Sequence, residues 1–129
     1  MYWEILQEIK AALEGLPGVK TLGIGLEKGI GAKDCPFVRI VAVSNENEGF
    51  GQESFDFSVF FGFDVKNADL ETLYEKLYEL EDEIKTRLVY KIGLDRCGVC
   101  KFVRTDTDAD ALANLKAAVS HFRVEGLKR

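Results

Sequence analysis

Few residues in this chain have types and spacing that could do chemistry. Cys97-Gly98-Val99-Cys100 has the two-residue gap of a redox motif or of half a zinc site. A structural zinc takes four ligands, commonly from two such pairs. Beyond this pair the chain offers only Cys35 and its one histidine, His121. A thioredoxin-like motif opens a helix after a strand, whereas this one falls between a helical stretch and a strand-like one. Two half-buried thiols in a turn is the preferred reading. Metal or small-ligand binding through Cys97 and Cys100, with Cys35 or His121, is the alternative.

The acidic residues scan as sites but fail on spacing. Asp106, Asp108 and Asp110 alternate as calcium ligands can, yet no glycine or distal glutamate completes a loop. Asn45, Glu46, Asn47 and Glu48 do not follow the EF-hand pattern either. Glu79, Glu81, Asp82 and Glu83 sit together in a helical stretch, where adjacent positions diverge, so a solvated face is expected. Gly23, Gly25, Gly29 and Gly31 suggest a phosphate loop, but Lys33 follows Ala32 and precedes Asp34, which is not the P-loop order. His121 has no nucleophile or acid in an identifiable constellation and is expected at the surface or an interface. No catalytic residue and no cofactor are expected.

The stretch that must position everything else runs from Glu53 to Val65. Phe55, Phe57, Val59, Phe61, Phe63 and Val65 fall on alternate positions and point one way in a strand. Ser54, Asp56, Ser58, Phe60, Gly62 and Asp64 point the other way. Ile5, Leu6, Ile9, Leu13 and Leu16 predict an amphipathic helix over Tyr2 to Glu14, closed by Gly15 and Pro17. Val19 to Gly25 and Pro36 to Ser44 read as strands, the second apolar on both faces except at Arg39. Asn45 to Gln52 reads as a polar loop or hairpin arm with Phe50 at its tip. Asn67 to Tyr90 reads as the longest helix, capped by Asn67, with Leu70, Leu73, Leu77, Ile84 and Leu88 buried. Val99 to Thr105 reads as a strand. Leu112 to Val124 is ambiguous, and a long final strand is preferred because its predecessor needs a neighbour.

The chain's 129 residues suit one domain, with 47% apolar and 30% charged residues and only 2 prolines. A net charge of −5 opposes broad phosphate binding, so no specific nucleic-acid partner is expected. Three cysteines without a secretory signal fit reduced thiols. No apolar run spans a bilayer, and no membrane partner is expected.

The order α-β-β-β-α-β-β predicts a two-layer α+β domain. In it, two helices pack on one face of a mixed or antiparallel sheet of about five strands. Phe60 and Arg39 would sit on the other face, and with Phe50 they are the candidate interface residues. Three features together resemble the phage tail terminator and tail-completion family, the minor tail protein U-like group. They are the helix ending in Leu16-Pro17-Gly18-Val19, the strand pair with a polar arm from Val38 to Phe63 running into a long helix, and the closing segment after an acidic turn. The resemblance covers nearly the whole chain. It implies a non-enzymatic protein that forms a ring of copies of itself, typically a hexamer, between tail tube and head connector. It also implies synthesis in the host cytoplasm and incorporation into a virion. The Cys97–Cys100 pair is not part of that pattern.

Overall fold

In the computed structural model, which describes residues 1–66 and 68–129, five strands form one mixed sheet in the order β1-β2-β3-β5-β4. The elements are α1 (Tyr2–Leu13), β1 (Thr21–Ile24), β2 (Phe37–Gly49), β3 (Gln52–Asp64), α2 (Leu70–Leu88), β4 (Val99–Thr107) and β5 (Leu115–Lys128). β1 runs parallel to β2, and every other pair is antiparallel. This is the expected α+β order, with both helices on one face.

β3 lies at the sheet's centre and carries the alternation that specifies it. Phe55, Phe57, Val59 and Phe61 are all buried and face the helices. Phe57 stacks on Phe122 of β5 at 5.3 Å between ring centroids. Phe55 meets Tyr2 of α1 at the same separation, 5.3 Å. Aromatic pairs of this kind add to the gain from burying their area. Gly62 interrupts the aromatic run for a steric reason. A Cβ there would lie 2.8 Å from both the Lys116 carbonyl and the Phe37 ring, so only glycine admits these neighbours.

The helices lay their apolar stripes on this ribbon. α1 buries Ile5, Ile9 and Leu13 at successive four-residue steps. It ends before Gly15, whose φ of 76° suits only a residue without a side chain. α2 buries Leu73, Leu77, Leu80, Ile84 and Leu88. Its first turn is capped by Asp69, which accepts from the Thr72 N–H at 2.8 Å. Asn67, read from the sequence as the cap, lies outside the described residues. Two details of the stripe differ from expectation. Leu70 is exposed, and Leu80 takes a place in the core. Glu81 also departs from the solvated acidic face, being buried with Lys85 at 3.6 Å.

The largest differences lie where polar side chains occupy strands. Of the two readings for Asn45 to Gln52, loop or hairpin arm, the structure has the arm, with Asn45 to Gly49 continuing β2 as a paired strand. The final segment is a strand from Leu115 to Lys128, four residues beyond Val124. On its helix-facing side Lys116 is 1% exposed. Its ammonium donates to Asp108 at 3.0 Å, to the Tyr74 hydroxyl at 3.0 Å and to Asp110. Asp108 also accepts from the Ala117 N–H at 3.0 Å. The alternating aspartates are thus the lock of the β4–β5 turn.

Burial disfavours the charged form of both groups, but their hydrogen bonds outweigh it: those of Lys116 with Asp110, Tyr74 and Asp108, and those of Asp108 with the Ala117 N–H and Lys116. Lys116 is held above its usual range and Asp108 below its own. A depressed carboxylate stabilises the fold above its unfolded pKa, and that contribution is lost as pH falls through the folded value. A raised ammonium stabilises below its unfolded pKa, so the pair is at full strength at neutral pH. Lys116→Met strands Asp108 and is expected to cost about 3 kcal/mol in urea unfolding at pH 7. The gap to the parent should narrow as pH falls below the ordinary carboxylate value of about 4 toward the lower pH at which the folded parent protonates Asp108. An equal gap at both pH values would refute the pairing as its source.

Candidate functional site

The four candidate ligands do not converge. Cys100 points into the core and is fully buried. Burial foremost, with Glu8 nearby, pushes its thiol up to about 12. Cys97 is exposed, on a left-handed residue with φ 62°. Cys35 is buried ahead of β2, where its thiol donates to the Gly31 carbonyl at 3.4 Å. His121 lies on the opposite face of the sheet from Cys100. Among the described residues no three His, Cys, Asp or Glu side chains are placed to hold a metal. The spacing of the Cys97–Cys100 stretch has a packing origin. A Cβ on Gly98 would lie 2.7 Å from Leu127 and 2.9 Å from Val124, so the chain must pass here without a side chain.

The structure does assemble one constellation that sequence reasoning missed. Ser58 Oγ lies 2.8 Å from His121 Nδ1, and His121 Nε2 lies 3.0 Å from Asp106 Oδ2. Arg104 foremost, then His121, holds the Asp106 carboxyl below its usual range. An ionised carboxylate only accepts, so Nε2 carries a proton, and in the neutral imidazole Nδ1 accepts from the Ser58 hydroxyl. Nucleophile, base and orienting acid therefore stand in the order of an acyl-transfer triad. The signal was register: Ser58 is paired with His121 across β3 and β5, and Arg104 with His121 across β4 and β5.

The surroundings do not support acyl transfer. Ser58 is 2% exposed and stands in a strand paired on both sides, with Val41 and with His121. The backbone N–H groups around it belong to the ladder, which leaves none to stabilise an oxyanion. Three clefts among the described residues are lined by other side chains. The three side chains act as a polar clasp across β3, β5 and β4.

This clasp belongs to a wider polar network on the face away from the helices. Arg123 donates to Asp56 at 2.9 and 3.1 Å, to Ser54 at 2.9 Å and to Glu46 at 3.2 Å. Ser44 donates to Asp56 at 3.0 Å. Arg39 is buried at one side, donating to Glu27 at 2.7 Å and to the Thr21 hydroxyl at 3.1 Å. Its acid comes from the segment after β1. Phe60 lies directly across from Arg39 and is half-buried. Among the described residues no buried side-chain nitrogen or oxygen lacks a hydrogen-bond partner. The polar side chains of this face are thus satisfied by one another.

The hairpin arm extends from this face. β1 pairs with β2 only as far as Ile40, so beyond Val41 the outer edge of β2 has no strand beside it. Val43 occupies a bulge in the β2–β3 register and is 60% exposed. Val103 occupies a similar bulge in β4, at the other side of the sheet, and is 55% exposed. Phe50, at the hairpin tip, is fully exposed.

No protein-family model matches the sequence, and no characterised protein matches it significantly. Among solved structures, the chain is similar to one from the virion of a native gene transfer agent particle. The superposition covers 97% of this chain and 90% of that chain, at a TM-score of 0.51 and 12% sequence identity. At that identity the likeness is one of fold.

Two labelling results are expected from this geometry. A fluorophosphonate probe should leave Ser58 unmodified, and stoichiometric labelling would show that the clasp is reactive. Iodoacetamide should modify Cys97 in the native protein and reach Cys35 and Cys100 only after unfolding, as peptide mass spectrometry would show.

Proposed function

We propose that this chain is a non-enzymatic structural protein of a phage-like particle, of the tail-terminator or tail-completion kind. In this reading copies assemble into a ring, a hexamer, at the junction of tail and head. The observation that carries it is the shared fold with a virion chain along nearly the full length of both. The sequence resemblance points to the same class independently.

The surface supports a protein that works by contact. Both sheet edges are open over part of their length, and each carries a bulge with an exposed valine. Bulges and charged edge residues blunt uncontrolled strand pairing while leaving the edge available to a specific partner. Phe50 and Phe60 are the aromatic groups offered for contact. Arg39 contributes from beneath, by fixing Glu27 and the segment after β1. The partners proposed are further copies, a tail-tube protein and a head-connector protein, in a particle assembled in the host cytoplasm. A net charge of −5 per subunit would give the ring a lumen to which DNA does not adhere.

Light scattering on the purified protein from about 10 µM to about 1 mM tests the ring. The expected limit is a mass near six times 14.4 kDa, rising with concentration. A monomer throughout that range would overturn the ring.

A further inference from the structure

Two features at opposite ends of the β2–β3 ribbon, a tip and a cleft, are matched in character. The first is the tip, Gly49-Phe50-Gly51, where all three residues have positive φ. Phe50 has a φ of 55° and is 105% exposed. A bulky side chain is disfavoured in that region, and a phenyl ring in water gains nothing from burial. Glycine would avoid both costs. The ring makes no contact in its own chain that would offset them.

The second feature is a cleft of about 690 Å³ floored by Pro17, Val19, Pro36, Phe63 and Leu80. Pro36 immediately precedes β2, and Phe63 is near the end of β3. The cleft therefore lies at the far end of the ribbon from the tip, roughly 40 Å away at the rise of an extended strand. Its rim carries Glu79, Asp82 and Glu83 with one base, Lys76. The ion pair on this part of α2 joins Glu81 to Lys85, and among the described residues the rim acids have no basic partner.

The charges beside the tip complement that rim. The acids of the arm are already engaged, Glu46 by Arg123 and Glu48 by the Gly126 N–H. Glu53 is held by Arg129. Lys128, directly across from Gln52, is exposed and has no carboxylate partner among the described residues.

We infer that the hairpin tip of one copy seats Phe50 in this cleft of a second copy, with Lys128 meeting the acidic rim. The two patches differ, so the contact is heterologous. Repeated, it closes a ring or continues as a filament, according to the rotation between copies. The inference rests on the self-assembly proposed above and adds the joint that makes it.

The test places the photo-crosslinker p-benzoylphenylalanine at position 50 of the full chain. Adducts are then mapped by mass spectrometry, with circular dichroism to confirm that each variant folds. The expected adducts join two copies and fall on residues 17–19, on Phe63 or on residues 76–83. Phe50→Ala should weaken self-association about 30-fold or more, as an anchor in an apolar pocket does. Glu83→Lys and Lys128→Glu should each weaken it about tenfold, and combining them should recover most of the loss. Copies that assemble but crosslink elsewhere, or a charge exchange without recovery, would overturn the joint and leave the ring standing. A strict monomer with no adduct between copies would overturn both.

Discussion

The structure depends on one buried surface, the helix-facing side of β3. Phe55, Phe57, Val59 and Phe61 are all at most 2% exposed. Each fully buried side chain of this size contributes on the order of 2 kcal/mol, so these four together contribute roughly 8 kcal/mol. Both helices, and the flanking strands β2 and β5, are arranged to complete that burial. Even the glycine in the run serves it, because Gly62 lets Phe37 and β5 close over the opposite face.

What could be read from the sequence follows from that surface. Alternating phenylalanines and the stripes of α1 and α2 report their own environment, because apolar residues at a regular period have one economical placement. Lys116, Ser120, Ser54 and Ser58 gave no such report. All four are buried, yet their types predict exposure. What keeps them inside is a partner on another strand or helix, and spacing along one strand cannot show that. The same holds for Asn45 to Gly49. By type these residues suit a loop or a hairpin arm, and only backbone pairing with β3 decides for the arm. The cysteine motif, read as two half-buried thiols in a turn, divides into an exposed Cys97 and a buried Cys100, and its glycine answers a steric need beneath Val124 and Leu127.

The Ser58–His121–Asp106 clasp shows why side-chain geometry alone does not make a site. The distances fit general-base activation of a hydroxyl by a neutral imidazole. Catalysis also needs an opening to the nucleophile and donors waiting for developing charge. A doubly paired central strand offers neither, because its backbone groups are committed to neighbours. The same three residues on loops at a strand's end would deserve a different reading.

The two strands of the hairpin are supported unequally. β3 is flanked on its far side by β5 as far as Lys128, next to the tip, whereas the distal half of β2 is flanked by β3 alone. Mechanically the arm is a cantilever with one clamped beam. A pull on the tip along the strand axis loads the β3–β5 bonds in shear, many together, while a sideways push bends the free beam first. The projecting end can thus be stiff under tension and compliant in orientation.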